Sequence, residues 1–148
     1  MPQRDDAIVM ADRDNLTRNQ TKVLAKLEAA AAPLSAYALL DQLRDDGFRA
    51  PLQVYRALES LMGVGLVHRL ESMNAFVACC GSHDHHHRMT AFAICDGCGQ
   101  VTELSDDAVA HRLEDWVGAT GFAPKRAVIE FRGVCADCAV GREEFEGR

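Results

Sequence analysis

Val23, Leu24 and Leu27 recur at helical spacing behind Thr17, a residue suited to cap a helix start. The stretch LTRNQTKVLAKLEAAA therefore predicts a helix from about Leu16, prolonged by an alanine run and stopped by Pro33. Ser35 can cap a second helix, SAYALLDQLRDDG, with an apolar stripe of Ala36, Leu39, Leu40 and Leu43 and an end at Gly47. Pro51 suits the first turn of a third, PLQVYRALESLM, which closes at Gly63. Its buried face would be Val54, Leu58 and Leu61/Met62, with Gln53, Arg56 and Glu59 outward. LVHRLE and AFVACC then have strand composition around the short polar gap Ser72-Met73-Asn74, the pattern of a hairpin. Three helices followed by a hairpin is the order of a winged helix-turn-helix, and also of other small α+β domains.

Residues 81–90, GSHDHHHRMT, form a polar, His-rich hinge. Beyond it, AFAIC and QVTEL predict strands flanking a turn at Asp96-Gly97. Ser105 can cap the helix DDAVAHRLEDWVGAT, with Asp106 and Asp107 in the first turn where the helix dipole favours negative charge. Gly121 and Pro124 close that segment. RAVIEFRG predicts a third strand, alternating Ala127, Ile129 and Phe131 against Val128, Glu130 and Arg132. The expected organisation is α+β: a tail over 1–14, a winged-helix domain over 15–80, the hinge, and an α/β domain over 91–148.

Composition narrows the setting. A chain of 148 residues with 48% hydrophobic content suits one ordinary domain or two small ones. No apolar run approaches the roughly 18–20 residues of a membrane span. The N-terminal MPQRDDAIVMADRDN is too acidic for a secretory signal. A cytoplasmic location is expected, where thiols stay reduced and six cysteines point to metal before disulfides. The net charge of −6 is uneven: residues 15–71 carry seven basic against six acidic side chains, residues 90–148 six against eleven. The first half is thus the better one to approach phosphate, although its balance is no basic patch.

The strongest chemical signal is Cys95-x-x-Cys98 with Cys135-x-x-Cys138. Thiolates three residues apart on a tight turn can address one metal, with Gly97, Gly99 and Gly133 supplying turn freedom. Two such knuckles make the closed tetrahedral set of a structural zinc. The 36 residues between them hold a strand, a helix and a strand, so the metal would tie together the ends of a small α/β unit. Redox pairs are the competing reading of the cysteines. No activated base beside a cysteine, no Gly-rich phosphate loop and no HExxH is present, which argues against an enzyme.

VYRAL in the third helix, a His-rich hinge and CDGCG…CADC in an α/β tail together resemble the ferric uptake regulator family, over about residues 15–140. SAYALLDQLR, PLQVYRALESLMGVGLVHRLES and NAFVAC are closest to its zinc uptake regulator branch. The resemblance implies a homodimer that binds double-stranded operator DNA, in inverted-repeat form, when a regulatory metal is bound, and that represses metal-uptake genes. It implies two zinc ions per subunit, one structural and one regulatory. The family often opens its first helix with Thr-Pro-Gln-Arg. Here the segment is Thr17-Arg18-Asn19-Gln20, so the basic residue is displaced by two.

For the regulatory zinc, the resemblance points to His68, Cys79, Glu103 and a hinge histidine. His68 and Cys79 lie on the two wing strands, and strand alternation sends Cys79 and Cys80 to opposite faces. Zinc-branch relatives carry a histidine seven residues before the first structural cysteine, where Arg88 stands, so the ligand is His87 or, alternatively, His85. Another family site uses a histidine in the last strand, where this chain has Arg132, and is not carried over. A site drawn from wing, hinge and second domain would clamp the halves in one orientation, and a soft thiolate favours zinc over iron or manganese. Tyr37 and Arg56 match base-contacting positions, and Arg18, Lys22, Lys26 and Arg69 are phosphate candidates. For Tyr37 a core aromatic is the competing reading. The rival functions are an iron-, manganese- or peroxide-sensing repressor of the same fold, a zinc-buffering module and a thiol redox enzyme.

Overall fold

The Thr17 hydroxyl accepts the Gln20 amide at 3.3 Å, and the Gln20 side chain accepts the Thr17 amide at 3.0 Å. This reciprocal cap starts helix α1, Arg18–Ala29. The computed structural model describes residues 13–79, 89–104, 106–124 and 127–140. The helix does not continue through the alanine run to Pro33, because Ala30 is already extended. Two features of the segment that follows keep it from resuming, one local and one long-range. Proline disfavours helical backbone in the residue before it, and Leu34 exchanges backbone hydrogen bonds of 3.1 and 2.8 Å with Phe76 of the hairpin.

Helix α2, Ala36–Leu43, is capped by the Ser35 hydroxyl, which accepts the Ala38 amide at 3.1 Å. One 3-10 turn, Arg44–Asp46, follows, and the chain reverses at Gly47 with φ 95°. Helix α3 is Pro51–Gly63, with Val54, Ala57, Leu58 and Leu61 inward. Gln53 does not simply face solvent: its Oε1 accepts the amides of Arg49 and Ala50 at 2.7 and 3.1 Å, supplying the cap that Ala50 cannot. Strands β1, Val67–Leu70, and β2, Ala75–Ala78, pair antiparallel in the register His68↔Val77. The stripes of the three helices meet Phe48, Val67 and Phe76 in one buried core. Each fully buried Leu or Phe there contributes roughly 1.5–3 kcal/mol.

The first described element of the second compact unit is β3, Met89–Cys95. Met89 and Thr90, read from sequence as the end of the hinge, are strand residues paired with Ala127 and Val128. β4, Val101–Leu104, runs antiparallel on one side of β3, and β5, Ala127–Gly133, runs parallel on the other. A parallel neighbour needs a long connection. Helix α4, Asp107–Gly118, lies within it. Its cap is Asp106, whose carboxylate accepts the Val109 amide at 3.0 Å, rather than Ser105. An ionised cap serves the helix dipole as well as the orphan amide. Of α4 only Ala110 is buried, and Trp116, Phe122 and Phe131 of this unit stand exposed.

Candidate metal centres and nucleic-acid interface

The two cysteine knuckles meet because β3 and β5 are parallel neighbours, so their C-terminal ends share one edge. The Asp96 amide donates to Gly133 O at 2.8 Å, carrying the ladder one step past the last strand pair, and the Gly99 amide closes the first knuckle on Cys95 O at 2.9 Å. Cys135 and Cys138 flank the start of a short helical stretch, 136–140. The sulfurs of Cys95, Cys98, Cys135 and Cys138 all lie within 4.8 Å of one another. Cys98 Sγ and Cys135 Sγ are 3.8 Å apart. Four thiolates about 2.3 Å from a tetrahedral zinc would stand about 3.8 Å from each other, so the cage fits that ion.

Its electrostatics point the same way. The Cys135 amide donates to Cys95 Sγ at 3.3 Å, and with the Cys98 and Gly97 amides it lowers the Cys95 thiol to about 6. Crowding by the thiols of Cys135, Cys95 and Cys98 pushes Cys138 up to about 12. One sulfur is prepared as a thiolate, but four cannot ionise together without a cation among them.

Of the three glycines expected to ease the turns, only Gly99 adopts positive φ, at 75°. Gly97 is needed for closeness: a Cβ there would stand 3.0 Å from Cys138 Sγ and 3.2 Å from Cys138 Cβ. Gly133 simply ends β5, with nothing within 4 Å of such an atom. Gly97→Ala is therefore expected to strain the cage by about 1–3 kcal/mol, the usual cost of overpacking, and to lose zinc faster to a chelator. Gly133→Ala should lose it at the parental rate.

In the first unit, His68 sits on β1 at 9% exposure. Cys79 follows β2 directly, its amide bonded to Leu66 O at 2.9 Å, so it extends the hairpin by one step. It is two residues beyond Val77, the cross-strand partner of His68, and so shares that face. The ligand atoms of His68 and Cys79 lie within 4.8 Å of each other. Glu103 is a half-buried residue of β4, in the second unit. Cys80, His85 and His87 lie outside the described residues.

Tyr37 is 64% exposed in the first turn of α2, which removes the reading of it as a core aromatic. Arg56 is exposed on α3, Arg18 opens α1, and Lys26 is half-buried in the last turn of α1. Two phosphate candidates are already engaged inside the domain. Lys22 Nζ donates to Asp46 O at 2.9 Å and pairs with its carboxylate at 3.1 Å, bracing α1 against the 3-10 turn. Arg69 donates to Asn74 Oδ1 at 3.0 Å, lies 3.5 Å from Glu71 and covers the Phe76 ring at 5.8 Å, fastening the hairpin. Arg49 is also exposed, just before α3.

Helices α1 to α3 closed by a two-stranded wing, followed by an α/β unit with a four-thiol cage, define the class as a winged-helix protein with a metal-knuckle domain. The model of the ferric uptake regulator family matches residues 15–132, and the chain belongs to that family. The zinc uptake regulation protein of Escherichia coli (strain K12) is 39% identical over 124 residues, covering 83% of this chain and 72% of that protein. The crystal structure of holo XcZur aligns over 91% of this chain and 99% of its own, with 41% identity and a TM-score of 0.76. A zinc uptake regulator complexed with zinc and DNA aligns over 97% and 99%, with 32% identity and a TM-score of 0.79.

Proposed function

We propose that this chain is a zinc-responsive transcriptional repressor of zinc-uptake genes, acting as a cytoplasmic homodimer on an inverted-repeat DNA operator. The observation that carries the choice of metal is the pairing of a nearly buried imidazole, His68, with the Cys79 thiol on one face of the wing. Sulfur beside nitrogen suits zinc, whereas iron and manganese sites favour oxygen and nitrogen. The likeness to a zinc uptake regulator complexed with zinc and DNA supports both partners. No helix among the described residues is long and apolar enough to cross a membrane. The exposed Trp116, Phe122 and Phe131 of the second unit supply the apolar surface a subunit interface needs. The role is regulatory rather than enzymatic.

Two zinc ions per subunit are proposed. The structural one belongs to Cys95, Cys98, Cys135 and Cys138. The regulatory one belongs to His68 and Cys79 of the first unit, Glu103 of the second, and His87 or His85 between them. When bound, the regulatory metal supplies a cross-link among ligands distant in sequence. His68 and Cys79 couple that link to the wing, and so favour the subset of conformations whose two reading helices fit successive major grooves. On each α3, the Arg56 guanidinium can fork to guanine O6 and N7, and Tyr37 of α2 can touch a base edge or thymine methyl. Arg18 and Lys26 are the cations best placed for phosphates, since Lys22 and Arg69 are engaged within the domain.

Arg56→Ala is expected to weaken operator binding by about 1–3 kcal/mol, the usual worth of a forked base contact, with zinc content and dimerisation unchanged. A titration at fixed salt against a duplex selected from a random pool measures this. Equal binding by mutant and parent would remove Arg56 from the readout. Metal content of the purified protein, read beside zinc-dependent binding of the same duplex, tests the function as a whole.

A further inference from the structure

Arg132 is the penultimate residue of β5. Its Nε and Nη2 both donate to Asp96 Oδ1, at 3.0 and 2.5 Å. Asp96 is the residue inside the first knuckle that immediately follows Cys95, and its amide is bonded to Gly133 O at 2.8 Å. The knuckle is thus fastened to β5 twice, by backbone and by charge, and two residues past Gly133 that strand delivers Cys135. The thiol cage opens when the two knuckles part, and the charge pair joins the first knuckle to the strand that leads to the second. Both side chains are about half exposed (49% each), so the pair is open to screening by salt.

We propose that Arg132 is a positioning residue for the four-thiol site, a clamp that holds the Cys95–Cys98 knuckle against the strand leading to Cys135 and slows release of the metal. This rests on the reading of the four thiols as a zinc site. Neither side chain touches the metal. Their contribution is the encounter geometry of the two thiol pairs, and it scales with one exposed ion pair. Removing it should therefore change release by about twofold to fivefold and leave the stoichiometry intact.

The test uses the full-length, zinc-loaded protein, following transfer of zinc to an excess of a chromogenic chelator at several salt concentrations. Arg132→Ala and the nearly isosteric Asp96→Asn should each speed release of the structural zinc by about twofold to fivefold at low salt. The double variant should be no faster than either single one, because the two groups act as a unit. Arg132→Lys should recover part of the loss. The parent should release faster as salt rises, and Arg132→Ala should not, a signature that a general loss of stability would not produce. Parental release rates in both single variants, or additive rates in the double variant, would overturn the clamp while leaving the zinc site standing. A parent that holds no zinc on these four cysteines would overturn the site and the clamp together.

Discussion

A Cys98→Ser protein is expected to lose the structural zinc and, with it, the folded second unit and the dimer. Cys98 is one of four sulfurs within 4.8 Å, and its contact with Cys135 Sγ at 3.8 Å joins one knuckle to the other. A hydroxyl is a poor zinc ligand, and three thiolates leave the tetrahedron open. The unit has little to fall back on. Among its described residues the sheet has three strands and α4 buries only Ala110, so apolar packing there gives a small core. Structural zinc sites supply on the order of 10 kcal/mol of folding free energy, comparable with the whole stability of an ordinary domain. Circular dichroism, sedimentation and metal analysis of the variant check this together. A folded, dimeric Cys98→Ser protein without metal would show that the four thiols have no structural role.

Cys79→Ser is expected to behave in the opposite way: folded, dimeric, still carrying structural zinc, but without a metal-dependent gain in DNA affinity. Serine is nearly isosteric with cysteine, and Cys79 is held by its amide to Leu66 O at 2.9 Å, a bond the substitution keeps. The loss should therefore report the ligand and not the packing. Cys80→Ser is the paired control and is expected to resemble the parent, because consecutive residues of a strand pattern take opposite faces and one of the two thiols is expected to bind. His87→Ala and His85→Ala then separate the two histidine choices, with His87 expected to be the one that matters. If Cys80→Ser is silenced while Cys79→Ser responds normally, the ligand register is wrong by one residue. If both respond normally, the sensor has no sulfur and a site for iron, manganese or peroxide sensing takes precedence.

The parts of the fold set by neighbours in sequence were legible in the sequence. Thr17 and Ser35 cap their helices, the stripe Ala36, Leu39, Leu40 and Leu43 is buried, and Gly47 makes the left-handed reversal after the 3-10 turn, because caps, periodicity and left-handed turns depend on a few adjacent residues. What needed the third dimension was not. The early end of α1 follows from a bridge between Leu34 and Phe76, and the strand character of Met89 and Thr90 from pairing with β5. The same division runs through the site. The CxxC spacing announced four thiols, and the resemblance carried by NAFVAC pointed to Cys79, but its place on the face of His68 is set by the hairpin register. The engagement of Lys22 with Asp46, of Arg69 with Asn74 and of Arg132 with Asp96 links residues that no local pattern connects.

The most direct test of the account is a DNA-binding titration of the parent protein, loaded only at its structural site, as free zinc is raised in a metal buffer, with manganese and ferrous iron in parallel. The duplex is one selected from a random pool by the zinc-loaded protein, labelled for fluorescence anisotropy. Zinc should raise the affinity at least tenfold, equivalent to about 1.4 kcal/mol of coupling, with little response to the other two ions at the same free concentration. Affinity that is independent of zinc, or that rises equally with manganese or ferrous iron, would contradict it.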